Sequence, residues 1–171
     1  GKEYDCIVGV SGGRDSSYTL LKAVEYGLRP LAVHFDCGWN SNISVQNIQN
    51  AITKLDVDLH THVADWEEFK ELQISFLMAS TPDADVPTDY AIYSVLYDTA
   101  NKEGIKYILN GHSFRTEGTS PISWTYMDGR YVKSVFRKFS KNKKINSFPI
   151  MSMSKLIYLV LVKGIREIRL M

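Results

Sequence analysis

At 171 residues the chain suits one domain with a sizeable core, and its composition, 44% hydrophobic and 23% charged, is that of an ordinary soluble globular protein. A net charge of +1 gives no argument for nucleic acid or a membrane as partner, and the longest apolar run, residues 156–162, is too short to span a bilayer. Two cysteines without a CxxC pair, Cys6 and Cys37, make no disulfide framework, so a reducing cytoplasm is the expected setting. No signal peptide leads the chain. It opens on Gly1 rather than Met and stops in the apolar stretch "KGIREIRLM", which we read as a piece of a longer protein.

Taken in order, "YDCIVGV" (4–10) is a short, β-rich apolar run and predicts a buried strand, with Cys6 a small core residue. Helical spacing follows over 15–26, closed by Gly27. "PLAVHFD" (30–36) predicts a second strand and "SNISVQNIQNAITKL" (41–55) a helix with Ile43, Ile48, Ala51, Ile52 and Leu55 on one side. "DLHTHVA" (58–64) alternates as a third strand. A helix over 65–80 opens at Asp65, with Glu67 and Glu68 in the first turn, where the helix dipole favours acids. "TPDADVP" breaks the chain before a helix over 88–104, and "KYILNG" (106–111) predicts a fourth strand. A terminal helix over about 155–168 has an apolar face suited either to covering the sheet or to a homodimer contact. This strand–helix alternation predicts an α/β fold of three layers, a parallel, doubly wound sheet between helices.

Residues 111–131 show no convincing period, and irregular segments of this length are usually functional or disordered. The segment holds Glu117, Trp124 and Tyr126, so it lacks a disordered composition. It leaves the sheet at the C-terminal end of a strand, the side where open α/β sheets bind ligands.

"VSGGRDSSYTLL" (10–21) joins the first strand to the first helix. Gly12 and Gly13 allow positive φ and close approach to the backbone. Main-chain N–H groups there and in the first helical turn form an anion site, to which Ser11, Ser16 and Ser17 add hydroxyl donors. A phosphate chain is the natural occupant. A Walker loop is excluded because no Lys follows the glycines, and Gly9, Gly12 and Gly13 have the wrong spacing for a dinucleotide fingerprint. Asp36, ending the second strand, keeps a ribose-binding acid and hence a nicotinamide enzyme open.

The pattern S-G-G-x-D-S in "SGGRDSS" (11–17), set between strand and helix, resembles the pyrophosphate loop of the N-type ATP pyrophosphatases, the PP-loop superfamily. The resemblance implies a Rossmann-like, adenine nucleotide alpha hydrolase-like fold and an enzyme that splits ATP to AMP and pyrophosphate while adenylating a substrate oxygen. It implies that Ser11, Gly12, Gly13, Ser16 and Ser17 hold the β- and γ-phosphates and that Asp15 helps bind Mg²⁺ or orients the loop. Val33, His34 and Phe35 would meet adenine through their backbone, with Asp36 alongside. Gly111 and His112 would lie near the α-phosphate and ribose. The His34 side chain reads equally as a half-buried strand residue.

"VHFDCGWNS" (33–41), "TDYAIY" (88–93) and "TEGTSPISWTYMDGRY" (116–131) together resemble the N-acetyl sugar amidotransferases of lipopolysaccharide and nonulosonic acid pathways, over nearly the whole chain. Cys37 departs from an Asn expected in many relatives, which raises the question of a thiol role. The resemblance implies attack of a sugar acetamido oxygen on the ATP α-phosphorus, then displacement of AMP by ammonia to give an acetamidino group. Glu117 is implied as a second metal ligand or base, beside the plainer reading of a carboxylate capping a turn. Trp39, Asn40, Asp89, Trp124 and Tyr126 are candidates for the sugar side, since indole and phenol faces stack on sugar C–H surfaces while Asn and Asp bond hydroxyls. Trp39 and Tyr126 read equally as packing anchors and Asp89 as a first-turn acid. No glutaminase arrangement is readable, so ammonia is expected from a separate glutaminase subunit through a cyclase-like channel subunit, and the sugar is expected to be nucleotide-linked.

Two rivals remain, the first with the same loop and the second with the same fold. One is a tRNA-modifying sulfur-transfer enzyme, for which "KSVFRKFSKNKK" (133–144) offers basic residues interleaved with Phe136 and Phe139; the other reading of that segment is a solvated helix face and a basic loop. The second is a nucleotide-binding module without turnover.

Overall fold

Apolar residues of the first two strands alternate between two helical layers, and that alternation organises the molecule. The computed structural model describes residues 3–111, 127–142 and 144–170. The strands are β1 (Cys6–Gly9), β2 (Pro30–Asp36), β3 (Leu59–Val63), β4 (Tyr107–Asn110) and β5 (Arg166–Arg169). They form one sheet in the order β3-β2-β1-β4-β5, and every neighbouring pair is parallel. The helices are α1 (Arg14–Glu25), α2 (Asn42–Leu55), α3 (Trp66–Met78), α4 (Val86–Lys102), α5 (Gly129–Phe139) and the short α6 (Met153–Ile157), which runs on as a π-helical turn over Tyr158–Val162. No helix among the described residues is long and apolar enough to cross a membrane.

Cys6, Val8, Val10 and Ala32 pack with Leu20 and Ala23 of α1 and Ile48 of α2, whereas Ile43 of α2 proves exposed. Their neighbours Ile7, Leu31, Val33 and Phe35 face the other way, against Phe69, Leu72 and Phe76 of α3, Ala91 and Val95 of α4, and Val132 and Phe136 of α5. A parallel sheet covered on both faces needs such two-sided strands. The three-layer α/β arrangement expected from the sequence is the one observed. Burial pushes the Cys6 thiol up to about 11, so it behaves as a core atom.

Three expectations are corrected. The terminal helix gives way to a fifth strand: Gly164, at φ 71°, ends the helical run, and Arg166–Arg169 pairs with β4. The charged residues of β5 blunt this open sheet edge. Helix α4 begins at Val86, because Pro87 is tolerated in a first turn, where its missing N–H has no intrahelical partner to lose. Helix α5 begins at Gly129, inside the segment read as irregular, and the Asp128 carboxylate caps it by accepting from the Tyr131 N–H at 2.6 Å.

Two carboxylates of α3 hold the chain after α5. Glu68 accepts from the N–H of Asn146, from the hydroxyl of Ser147, and from the N–H groups of Ser147 and Phe148 at 2.8 and 2.9 Å. Glu71 accepts from the Ser140 hydroxyl and the Lys141 N–H, both at 2.7 Å, from the Asn142 N–H at 3.0 Å, and from the Asn142 side-chain amide. Burial works to raise the Glu68 carboxyl, but the Ser147 hydroxyl and the three N–H groups outweigh it and hold it below its ordinary value. The Ser140 hydroxyl, joined by the amides of residues 141 and 142, lowers Glu71 against the opposing pull of burial. Phe148, thus positioned, stacks on Phe69 at 6.3 Å.

Both carboxyls are depressed in the folded chain, so the unfolded chain takes up their protons first as the pH falls. Their stabilisation is complete above the ordinary glutamate value of 4.5 and is lost as the pH drops through the lower folded values. The double variant Glu68→Gln/Glu71→Gln is therefore expected to lose about 1–3 kcal/mol at neutral pH and to show a flatter decline below that point, measured by denaturant unfolding. Identical pH curves for variant and wild type would contradict this role.

Candidate functional site

The strand order places the crevice. The connection from β1 runs outward to β2 and β3, and the chain then crosses back to β4 on the other side of β1. In open α/β sheets the ligand crevice lies beyond the C-terminal ends of the strands where the order reverses, here between β1 and β4. The Ser11–Gly13 turn leaves β1 at that point and Gly111 leaves β4. A Cβ on Gly111 would lie 2.8 Å from the Asp15 carbonyl oxygen and 2.8 Å from Thr19 Oγ1, so glycine lets the first turns of α1 close onto the end of β4. The Thr19 hydroxyl is buried there with no hydrogen-bond partner among the described residues.

Gly12 adopts φ 77°, and a Cβ on it would stand 2.2 Å from the Ser44 carbonyl oxygen. The turn is thus pressed under the first turn of α2, and from the next turn of that helix Asn47 Nδ2 donates to the Gly12 carbonyl at 3.1 Å. The expectation of positive φ at both glycines holds for Gly12 alone. Gly13, at φ −79°, is the N-cap of α1 and offers no side-chain cap. The first-turn N–H groups of α1 therefore lack the intrahelical partners that later turns have, and they carry the positive end of the helix dipole. The hydroxyls of Ser16 and Ser17 donate to the Gly13 carbonyl at 3.2 and 2.8 Å, and the Ser11 N–H donates to Ser16 Oγ at 3.2 Å. Asp15 faces Arg14 across 3.0 Å.

β2 outruns β1. Its pairing with β1 ends at Gly9↔Val33, whereas its pairing with β3 continues to Asp36↔Val63. The β1-facing edge of β2 beyond Val33 is therefore main chain without a strand beside it. The His34 side chain is buried, with Nδ1 donating to the Val10 carbonyl at 2.9 Å, which ties the end of β2 to the start of the turn. The strand reading of this ring is the observed one.

Asp36 is a positioning residue. Its Oδ1 accepts from the Gly38 N–H at 3.0 Å and from Asn40 Nδ2 at 2.8 Å. Gly38, at φ 81°, brings its backbone against Trp66, whose Cε3 would lie 2.7 Å from a Cβ. Trp66 in turn meets Trp39 edge to face, ring centres 5.0 Å apart, an arrangement worth about 0.5–1.5 kcal/mol beyond area burial. Trp39 remains 62% exposed, so its ring is presented to solvent beside Asn40 rather than packed away. Asp89 lies in the first turn of α4. Cys37 packs into the larger core and is 7% exposed.

His112, Glu117, Trp124 and Tyr126 lie outside the described residues. The remaining predicted residues other than Asp89 gather at the C-terminal rim of the sheet, on the turn after β1, the end of β2 and its following loop, and Gly111. Ser44, Asn47, Thr19 and Trp66 were not singled out by sequence. No spacing marks them, since each acts through a contact made only when α2, α1 or α3 packs. Among the described residues no group of three or more His, Cys, Asp and Glu gathers. Mg²⁺ is commonly held by one or two carboxylates together with substrate phosphates, and Asp15 supplies a hard oxygen ligand of that kind within the turn.

Comparison with solved structures finds the same fold. A predicted subunit of tRNA methyltransferase from Methanocaldococcus jannaschii aligns with a TM-score of 0.53 at 16% identity, covering 96% of this chain and 68% of that one. The NMN synthetase of Francisella tularensis aligns with a TM-score of 0.50 at 16% identity, covering 96% of this chain and 63% of that one. The glutamine-dependent NAD⁺ synthetase of Acinetobacter baumannii, in complex with ADP, gives 0.55 at 18% identity over 88% of this chain and 31% of that one. The fold is adenine nucleotide alpha hydrolase-like. At these identities the likeness is one of fold, and the chain spans 63% and 31% of the length of the NMN and NAD⁺ synthetases. No protein-family model matches the chain. No curated protein matches it.

The two glycines make a paired test. Gly12→Ala puts a side chain both into positive φ and into the Ser44 carbonyl, and is expected to cost more than about 2 kcal/mol in thermal unfolding. Gly13→Ala, whose Cβ would meet only Ser11 Oγ at 3.3 Å, is expected to stay within about 1 kcal/mol of wild type. Equal melting of the two variants would show that the turn is not clamped under α2.

Proposed function

We propose that this chain is the ATP-binding core of a PP-loop ligase that adenylates the N-acetyl group of a sugar and converts it to an acetamidino group with ammonia. The observation that carries the ATP half is the turn "SGGRDSS" at the switch point of this fold, with the first-turn N–H groups of α1 left for an anion. A solved structure that shares this fold over 31% of its length was determined in complex with ADP, in keeping with a nucleotide ligand. The sugar half rests on the resemblance of residues 33–41, 88–93 and 116–131 to N-acetyl sugar amidotransferases, and on the exposed Trp39 beside Asn40 at the same rim.

In this reading the N–H groups from Gly13 to Ser16 bind the β- and γ-phosphates, the Ser16 and Ser17 hydroxyls turn from the Gly13 carbonyl to donate to phosphate oxygens, and the Ser11 hydroxyl leaves Ser16 Oγ to do the same. Asp15 and Glu117 would hold Mg²⁺, which would supply positive charge beside the phosphates. The free main-chain edge of Phe35 reads the adenine, and Gly111 with His112 lines the path of the α-phosphate. The acetamido oxygen attacks the α-phosphorus, pyrophosphate leaves, and the oxygen becomes an adenylated imidate. Ammonia adds to the imidate carbon and AMP departs, leaving C=N where C=O stood. An amide oxygen leaves poorly, and adenylation makes it a good leaving group. Amides oriented in advance cost no reorganisation as charge builds on the pyrophosphate. Trp39 offers a ring face to the sugar, with Asn40, Asp89, Trp124 and Tyr126 completing its contacts. Ammonia arrives from a separate glutaminase through a channel subunit.

Against sulfur transfer, Cys37 and Cys6 are both buried, 7% and 2% exposed, whereas a sulfur carrier needs an accessible thiolate. Against an RNA contact through interleaved phenylalanines, Phe136 is a core residue and Phe139 packs at the margin of the same core.

With ATP, Mg²⁺, ammonia and a UDP-linked acetamido sugar, pyrophosphate release is expected. Asp15→Asn should lower it by roughly 100-fold or more. Trp39→Ala should raise KM for the sugar without moving KM for ATP, and Cys37→Ser should leave both unchanged. Pyrophosphate release independent of any sugar, or lost with Cys37→Ser, would overturn the assignment.

A further inference from the structure

A net charge of +1 conceals a division of the chain. Between Asp128 and Glu167 there is no acidic residue, yet ten of the twenty Lys and Arg lie there; all nineteen acids lie outside. The densest part is α5 and the loop that follows it. Arg130, Lys133 and Arg137 recur along α5 at helical spacing, and Lys141 and Lys144 continue into the loop. The acids packed closest, Glu68 and Glu71 of α3, are engaged by main-chain N–H groups and by Ser and Asn side chains. Lys133 and Lys144 have no ion pair among the described residues.

These groups enclose a space. A cavity of about 240 Å³ is lined by Lys133, Phe136, Arg137, Lys144, Ile145 and Asn146. The glutamate pins fix its far wall, since Glu71 holds residues 140–142 and Glu68 holds residues 146–148, so Lys144 and Asn146 are carried on a loop anchored at both ends. Phe136 and Ile145 supply an apolar floor, which lowers the local dielectric and strengthens attraction to an anion. No carboxylate lines the cavity.

We infer that Lys133, Arg137, Lys144 and Asn146 form an anion site for the diphosphate of a small ligand, in the helical layer opposite the α2 face that clamps the glycine turn. Lysine ammonium groups supply point charge, the Arg137 guanidinium offers a fork matched to phosphate oxygens, and the Asn146 amide donates in addition. The volume is below the roughly 300–1,000 Å³ of pockets that take drug-sized ligands, so it suits a compact headgroup better than a whole nucleotide. Its concavity and apolar floor separate it from an open basic stripe along which an RNA backbone would lie. The inference does not depend on the sugar assigned above.

The test is calorimetric titration with inorganic pyrophosphate and, separately, with a nucleoside diphosphate. Lys133→Gln/Lys144→Gln is expected to weaken binding at least ten-fold, while the amide shifts that ATP produces at the glycine turn stay as in wild type. Lys141→Gln removes a charge from the same segment but not from the cavity, and should bind as wild type does. A larger loss of pyrophosphate binding in the double variant identifies a free diphosphate, and a larger loss of nucleoside diphosphate binding a carrier-borne one; either supports the site, whereas binding that the variant retains belongs to the glycine turn. Three results overturn it: unchanged binding in the double variant, an equal loss in Lys141→Gln, or no diphosphate binding where single-stranded RNA binds.

Discussion

The contact of Gly12 with the Ser44 carbonyl is the constraint on which the rest of the site depends. It fixes the turn after β1 beneath α2, and so fixes where α1 begins. Because α1 begins there, its first-turn N–H groups open at the one place where the strand order reverses. A side chain at residue 12 would lift the turn, and the amides would no longer converge beyond the end of the central strand. Gly111 applies the same constraint from the other side, by letting β4 come up against Asp15 and Thr19. Two glycines thus set the width of the crevice, while Gly13 serves a different purpose as an N-cap without a side chain.

Around this point the protein uses carboxylates as internal ligands for main-chain amides. Asp36 ties Gly38 and Asn40, which presents Trp39 at the rim. Asp65 and Asp128 cap α3 and α5. Glu68 and Glu71 anchor the loop after α5, and with it Phe148 in the core. These acids satisfy N–H groups, and among the described residues none of them forms an ion pair with Lys133 or Lys144.

Much of this was legible beforehand. The alternation in "PLAVHFD" and "CIVG" reports two buried faces, which only a parallel sheet between helices satisfies, and the β2 boundaries were read without error. The phosphate turn was legible because its residues are contiguous. What was not legible depends on contacts between distant segments. β5 was taken for helix because residues 156–162 extend an apolar pattern of no clear period; only Gly164 marks the stop, and pairing with Tyr107–Asn110 decides the strand. Ser44 and Asn47 look like ordinary polar residues of a helix until α2 lands on the turn. Glu68 reads as a dipole-favoured acid, which it is, and nothing local reveals that it also receives a loop 78 to 80 residues later. Position at a strand end points Asp36 to the nucleotide side, and nothing local reveals that its Oδ1 also organises the loop that follows.

The central claim is that the main-chain amides from Gly13 to Ser16 receive the phosphate chain of ATP. Amide ¹⁵N–¹H spectra recorded as ATP and Mg²⁺ are added test it most directly. The account predicts that the largest shifts fall on Gly13, Arg14, Asp15 and Ser16, with a second group at Phe35 on the free edge of β2. Unmoved resonances in that turn, with the shifts collected on another part of the surface, would contradict it.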